Sequence, residues 1–191
     1  MNSLYPIFLK TEKLNILIIG GGKVGLEKLS FLLKSSPEAN VEVISMEFHN
    51  EIKELAHQHK IKLTHRAFRK KDLKNRSIVI SATNDAQKNK EIHHLAKKKR
   101  ILINVADTPE LCDFYLGGIV TKGHVKIAIS TGGKSPTTAK RMRQFFEEVI
   151  PENMNEMVEN LNTYRNSIKG DFATKVSQLN ELTKSLINKQ S

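Results

Sequence analysis

Gly20-Gly21-Gly22-Lys23-Val24-Gly25 has the spacing of a phosphate-binding turn, G-x-G-x-x-G. In such a turn Gly20 permits the tight bend, Gly22 lets a pyrophosphate come up to the backbone, and Gly25 lets a helix lie close to a strand. A helix opening there aims free N–H groups and the positive end of its dipole at the phosphates. The motif carries this meaning only between a strand and a helix; elsewhere it is a glycine-rich turn with no ligand. Glu47 follows Gly25 by 22 residues. That is near the spacing at which an acid accepts a ribose 2′-hydroxyl, and no arginine stands beside it to receive a 2′-phosphate, so NAD is expected over NADP. Glu47 also reads as an ordinary exposed residue. Asp107 is the candidate acid–base group, because a carboxylate beside a cofactor cleft can accept a proton. Alone, an aspartate in such a place also reads as a turn cap.

The surrounding chain supplies the elements these residues need. Residues 14–19 form an apolar run suited to a buried strand, and Val24, Leu29, Leu32 and Leu33 then recur at helical spacing. Further strands are expected at 41–45, 61–65, 77–82 and 101–105, alternating with a helix that Asn50 caps and that turns Ile52, Leu55 and Ala56 inward, and with a second helix over 86–99. Strands alternating with helices imply a parallel sheet covered on both faces. Ligands of such sheets sit beyond the carboxyl ends of the strands. Four segments end there: 20–25, Ser45-Met46-Glu47, Thr83-Asn84-Asp85, and 104–107. Gly20, Gly22 and Gly25 of the turn, Glu47, Thr83 and Asn84 are therefore candidate cofactor-binding residues.

After residue 113 the pattern changes. Two strand-like runs, 114–121 and 124–130, suggest a hairpin joined across Lys122-Gly123. A helix opened by Ser135 or Thr137 runs to about Ile150, where Pro151 ends it. Apolar stripes follow, Met154, Met157, Val158, Leu161 and Ile168, then Phe172, Val176, Leu179, Leu182 and Leu186. The expected fold class is α/β: a Rossmann-like parallel sheet over 1–113, a small hairpin-plus-helix segment over 114–150, and an α-helical C-terminal domain over 151–191. The last two parts are small and should pack on the first or on a second copy of the chain.

No apolar run approaches the 18 residues of a membrane span, and the N-terminus has no secretory pattern. The single cysteine, Cys112, suits a reducing cytoplasm, and neither it nor the histidines form a metal-binding pattern. The net charge of +11 is unusual, with basic residues gathered at 60–76, 97–100 and 134–143. It is compatible with an acidic small molecule, an anionic membrane surface or nucleic acid, but no nucleic-acid motif accompanies it.

At this point the residues carry a resemblance. IFLKTEKLNILIIGGGKVGLEK, SIVISATND, ILINVADTPELCDF and VKIAISTGGKSPTTAKRMR stand in the order found in siroheme synthase N-terminal domains, over about residues 5–151. These are precorrin-2 dehydrogenases, some of which are also sirohydrochlorin ferrochelatases. The resemblance implies NAD-dependent oxidation of precorrin-2 to sirohydrochlorin in the cytoplasm, with iron insertion by the same chain as an alternative. It also implies an NAD-binding Rossmann domain, a dimerisation segment and a helical domain, with two chains interlocked as a homodimer. The length suits the short stand-alone form, so a fused methyltransferase domain is not expected. The family's NAD contacts fall on Lys23-Val24 and Met46-Glu47, its aspartate on Asp107 and its serine-containing loop on Ser130-Thr131-Gly132-Gly133. Met46 stands where the family commonly has proline, and Tyr115-Leu116-Gly117-Gly118 lacks another. Precorrin-2 is a polycarboxylate tetrapyrrole, which a basic cleft would hold. Ser130, Thr131, Lys134, Arg141 and Arg143 are the substrate-binding candidates, arginine being able to grip a carboxylate through two bonds. No bound metal, no nucleic acid and no membrane is expected. The rival readings are a Rossmann module that senses NAD without chemistry and a nucleic-acid binder suggested by charge alone.

Overall fold

The computed structural model describes residues 2–184. Strands β1 (Ile16–Ile19), β2 (Val41–Ser45), β3 (Lys62–His65), β4 (Ile78–Ser81) and β5 (Leu102–Val105) form one parallel sheet in the order β3-β2-β1-β4-β5. Central β1 is buried along its whole length, as a strand covered on both faces must be. Its alternate side chains feed two cores. Leu17 and Ile19 meet Ile44, Val79, Ile103 and Val105 on one face, sealed by Ile92 and Ala96 of helix α3 (Ala86–Lys98). Ile16 and Ile18 meet Val43, Ile78 and Ile80 on the other, under Leu29 and Leu33 of α1 (Lys23–Ser35) and Ile52 of α2 (Asn50–Gln58). The order of the strands reverses between β1 and β4, and that reversal opens a crevice at their carboxyl ends.

Asn50 is not the cap of α2. The His49 carbonyl already accepts from the Ile52 N–H (3.0 Å), so the helix opens one residue earlier, with His49 at the cap position and Asn50 inside the first turn. Asp85 does cap α3, accepting from the Lys88 N–H at 2.9 Å.

The chain after β5 does not go directly into a hairpin. The Asp113 N–H donates to the Ile103 carbonyl (2.8 Å), and Asp113 Oδ2 accepts from the Ile103 N–H (3.1 Å). Asn104 Nδ2 donates to the Phe114 carbonyl (2.8 Å). Residues 112–114 thus lie along the open side of β5 and occupy backbone groups that an exposed edge strand would offer to another chain. For this reason the hairpin starts later than expected, at β6 (Gly118–Lys122), and returns through β7 (Val125–Ile129). Its turn is Gly123-His124, not Lys122-Gly123, with Gly123 at φ +55°.

Helices α4 (Pro136–Val149), α5 (Met154–Ser167) and α6 (Phe172–Leu182) follow. Ser135 opens α4: its hydroxyl accepts from the Thr138 N–H at 3.2 Å, and Pro136 takes the first helical position. The chain divides into two compact units, residues 1–118 with 130–139, and residues 119–129 with those from 140 onward. In the second unit the Asn155 side chain accepts from the His124 N–H (2.9 Å), and Asp171 caps α6. Ile168 is buried, Met154, Met157, Val158 and Leu161 are half-buried, and Phe172, Val176 and Leu182 are exposed. Leu186 lies outside the described residues.

Part of the basic excess at 60–76 is structural. Asp72 is buried and takes two hydrogen bonds from Arg66, each 2.7 Å, and a third from the Arg69 N–H, also 2.7 Å. Buried Glu42 accepts from Thr64 Oγ1 (2.7 Å), pairs with Lys62 (3.1 Å) and bonds Arg76. The Arg66 bonds hold the Asp72 carboxyl below its ordinary pKa against the opposing effect of burial. At Glu42 burial works against ionisation, but the bonds from Thr64, Arg76 and Lys62 outweigh it and the value is lowered. Groups with lowered folded values add stability above the ordinary carboxylate range, about pH 4, and lose it as pH falls through the folded values. The melting temperature is therefore expected to fall steeply below about pH 4. Asp72→Asn should cost about 1–3 kcal/mol at pH 7 and flatten the acid limb of a calorimetric pH series. An unchanged acid limb would remove Asp72 from the account.

Candidate functional site

The glycine turn links β1 to α1 and touches the exits of both neighbouring strands. Gly20 has φ +115°, and a Cβ there would lie 2.3 Å from the Ala82 carbonyl oxygen, just past β4. A Cβ on Gly21 would lie 2.3 Å from the Glu47 carbonyl oxygen and 2.9 Å from Ser45 Cβ, at the end of β2. A Cβ on Gly25 would lie 2.1 Å from the Gly20 carbonyl oxygen. These glycines are required by close backbone approach. Gly22 is different: a Cβ there would meet nothing within 4 Å. It occupies the cap position of α1 with no side-chain cap, and the first helical bond runs from the Leu26 N–H to its carbonyl (2.9 Å). The N–H groups of Gly22, Lys23 and Val24 have no partner among the described residues. Open space in front of unpartnered N–H groups at a helix start fits a pyrophosphate.

Met46 and Glu47 follow β2 and are both exposed. The Glu47 N–H faces Ser45 Oγ at 3.4 Å, and the Met46 carbonyl bonds the His65 ring. Thr83 follows β4, but its hydroxyl is committed to structure, donating to Asn89 Oδ1 at 2.6 Å. Asn89 also accepts from Ser81 Oγ (2.7 Å) and donates to the Thr83 carbonyl (3.0 Å), which fixes the exit of β4. Asn84 is exposed.

Asp107 follows β5 in a tight turn at φ +56° and is exposed. Its carboxylate has no hydrogen-bond partner among the described residues, and the 3₁₀ turn that follows has Thr108 at its cap position, whose hydroxyl donates back to the Ala106 carbonyl (3.2 Å) and does not cap the turn. Its place in that turn rests on its backbone, the Thr108 N–H donating to the Val105 carbonyl (3.2 Å). Cys112 is a half-buried packing residue: its Sγ lies 3.2 Å from the Val105 carbonyl, and burial raises its pKa.

Of the expected substrate residues, Ser130, Thr131 and Lys134 belong to the first unit and Arg141 and Arg143 to the second. The Ser130 hydroxyl accepts from the Gly132 N–H (3.2 Å), and Thr131 Oγ1 donates to the Ser135 carbonyl (3.1 Å), so both shape their loop. Lys134 is exposed. Arg141 donates to Gln144 Oε1 (3.0 Å), and Arg143 pairs with Glu147 one helical turn away. No group of three or more His, Cys, Asp and Glu side chains suited to a metal ion occurs among the described residues. No helix among them is long and apolar enough to cross a membrane.

Sequence reasoning missed Ser45 and Asn89. Asn89 could have been found, since it shares the inward spacing of Ile92 and Ala96, where a polar residue demands a buried partner. Nothing in the sequence reveals where the Ser45 hydroxyl points.

A parallel sheet in this order, with a glycine turn at its reversal point, defines a dinucleotide-binding Rossmann domain. Comparison with known proteins narrows the class. A family model described as "Putative NAD(P)-binding" matches residues 7–118, and one described as sirohaem biosynthesis protein central matches residues 122–148. The siroheme synthase of Pseudoalteromonas atlantica is 35% identical over 168 residues, 88% of this chain and 36% of that protein. That of Nitrosococcus oceani is 36% identical over 164 residues, 86% of this chain and 35% of that protein. The solved structure of SirC, precorrin-2 dehydrogenase, superposes with a TM-score of 0.74 at 21% identity, covering 98% of this chain and 91% of that one, a likeness of fold. The chain belongs to the N-terminal siroheme synthase family. It spans about a third of the length of the curated relatives it matches.

Proposed function

We propose that this chain binds NAD and oxidises precorrin-2 to sirohydrochlorin. The observation that carries the reading is the Gly22 cradle: open space faced by the free N–H groups of Gly22, Lys23 and Val24. Family membership supports the same reading, and so does the fold shared with a protein named precorrin-2 dehydrogenase. When bound, NAD supplies the hydride acceptor. The chain's own residues do the rest. The glycine turn holds the pyrophosphate, Gly20 and Gly25 letting it pack tightly enough to do so. Glu47 accepts from the adenosine ribose, and the segments at Met46 and at Thr83-Asn84 border the cofactor. Asp107 takes the proton that leaves the macrocycle, its carboxylate having no competing partner. Lys134, in the loop that Ser130 and Thr131 shape, binds a carboxylate of the substrate, for which the net charge of +11 provides a favourable field. Two chains pair as a homodimer in the cytoplasm. The exposed apolar side chains of α4 (Met142, Phe145, Val149) and α6 (Phe172, Leu182) support the pairing, and a sedimenting species of one chain mass would remove it.

The deciding experiment is an anaerobic assay with precorrin-2 and NAD, followed by NADH absorbance. NADH should form, and kcat/KM should favour NAD over NADP because a carboxylate at residue 47 repels a 2′-phosphate. Cofactor binding without NADH would leave a sensing module, and no cofactor binding would end the proposal. A clear NADP preference would mean that Glu47 does not read the ribose.

A further inference from the structure

The backbone of Gly20 and Gly21 is tied to the end of β2 and to the segment after it. The Gly20 N–H donates to the Ile44 carbonyl (2.9 Å), the Gly21 N–H donates to Ser45 Oγ (2.9 Å), and the His49 N–H donates to the Gly21 carbonyl (2.8 Å). Ser45 Oγ also faces the Glu47 N–H at 3.4 Å. One side-chain oxygen therefore stands between two separate pieces of the proposed cofactor site, the phosphate turn after β1 and the ribose-reading residues after β2. Its own base is rigid. β2 is paired on both sides, to β1 and to β3, and the Ser45 carbonyl accepts from the Arg66 N–H (2.9 Å). The contact is close enough that a Cβ on Gly21 would lie 2.3 Å from the Glu47 carbonyl oxygen and 2.9 Å from Ser45 Cβ, so the middle glycine of the turn is required by the segment Ser45 opens.

We propose that Ser45 is a positioning residue for the dinucleotide: its hydroxyl fixes the glycine turn against the β2 exit and so sets the distance between the phosphate cradle at Gly22 and the ribose acceptor Glu47. This rests on the reading of the chain as an NAD-binding protein. A residue that only supported the fold would change melting temperature and leave cofactor affinity alone. A positioning residue changes affinity for any ligand that spans both segments, such as NAD or ADP-ribose. It changes affinity for inorganic pyrophosphate, which needs the turn alone, much less.

The test is the matched pair Ser45→Thr and Ser45→Val, nearly equal in shape and differing in the oxygen. Kd values for NAD, ADP-ribose and pyrophosphate are measured by titration calorimetry well below the melting temperature, with Ser45→Ala as a third variant. The threonine variant should bind NAD like the wild type. The valine and alanine variants should bind NAD and ADP-ribose about tenfold more weakly, the usual size of one lost hydrogen bond to an oriented backbone N–H. Their pyrophosphate affinity should change less, and kcat at saturating NAD should be unchanged. Equal NAD affinity in the threonine and valine variants would overturn the assignment. So would a loss that fell equally on all three ligands. A wild-type protein that fails to bind NAD would instead overturn the functional reading, so the two failures are distinguishable.

Discussion

Gly22→Asp is expected to abolish NAD binding while leaving the protein folded. Gly22 has φ −81° and ψ −165°, a backbone conformation open to any L-residue, and a Cβ there meets nothing within 4 Å. The substitution therefore has no steric reason to disturb the sheet or α1. It does place a carboxylate in front of the N–H groups that would receive the pyrophosphate. Two like charges about 4 Å apart repel by about 4 kcal/mol in a partly exposed site, roughly a thousandfold in Kd. The aspartate would also accept the N–H groups of the first helical turn for itself, since aspartate is a favoured cap. Both effects remove affinity, and the second raises helix stability. Gly22→Ala separates charge from bulk and should bind NAD far better than the aspartate variant. Gly20→Ala and Gly25→Ala behave differently. The first forces a side chain into φ +115° and against the Ala82 carbonyl, and the second drives a methyl into the Gly20 carbonyl. Both should lower the melting temperature as well as affinity. Calorimetric titration with NAD beside thermal melts checks the set. A folded Gly22→Asp protein with unchanged NAD affinity would show that the turn is not the cofactor site.

Much of this architecture was legible because each strand of a doubly covered sheet must be apolar on both faces. Runs such as Ile16–Ile19 and Ile78–Ser81 stand out for that reason, and the glycine turn stands out because backbone proximity excludes every other residue. The misplaced features have a common cause: a long-range bond overrode a local signal. Residues 114–117 look like strand, but Asp113, Phe114 and Asn104 are used to close the side of β5, so the hairpin begins at Gly118. Asn50 looks like a cap, but His49 is fixed earlier by its bond to Gly21. The basic cluster at 60–76 looks like a ligand surface. Its Arg66 and Arg76 face Asp72 and Glu42, two acids whose burial no local pattern announces. The candidate site divides in the same way. The turn was readable from residue type, whereas Ser45 and Asn89 matter through where a side chain points, which a sequence does not encode locally.

Asp107→Asn is expected to depress kcat by about 10²–10⁴-fold and to leave NAD affinity and stability nearly intact. The substitution is unusually clean at this position. Asp107 sits at φ +56°, a region that asparagine and aspartate tolerate better than other side chains, so the turn keeps its shape. The carboxylate has no hydrogen-bond partner among the described residues, so no structural bond is lost, and an exposed change of this kind shifts stability by about 0.5 kcal/mol or less. What is lost is the capacity to accept a proton. Oxidising precorrin-2 removes a hydride and a proton from the macrocycle; with the hydride going to the nicotinamide, the proton needs an acceptor with a free lone pair, and an amide is a poor one. Asp107→Ala supplies the structural comparison. Alanine is disfavoured at positive φ, so it should lose stability as well as rate. The two variants together separate base from turn. A rate lost in alanine but kept in asparagine would make Asp107 a conformational device and leave the reaction to positioning and to water. A rate lost equally in both, with NAD Kd unchanged and the asparagine variant melting like the wild type, would assign the proton transfer to the carboxylate.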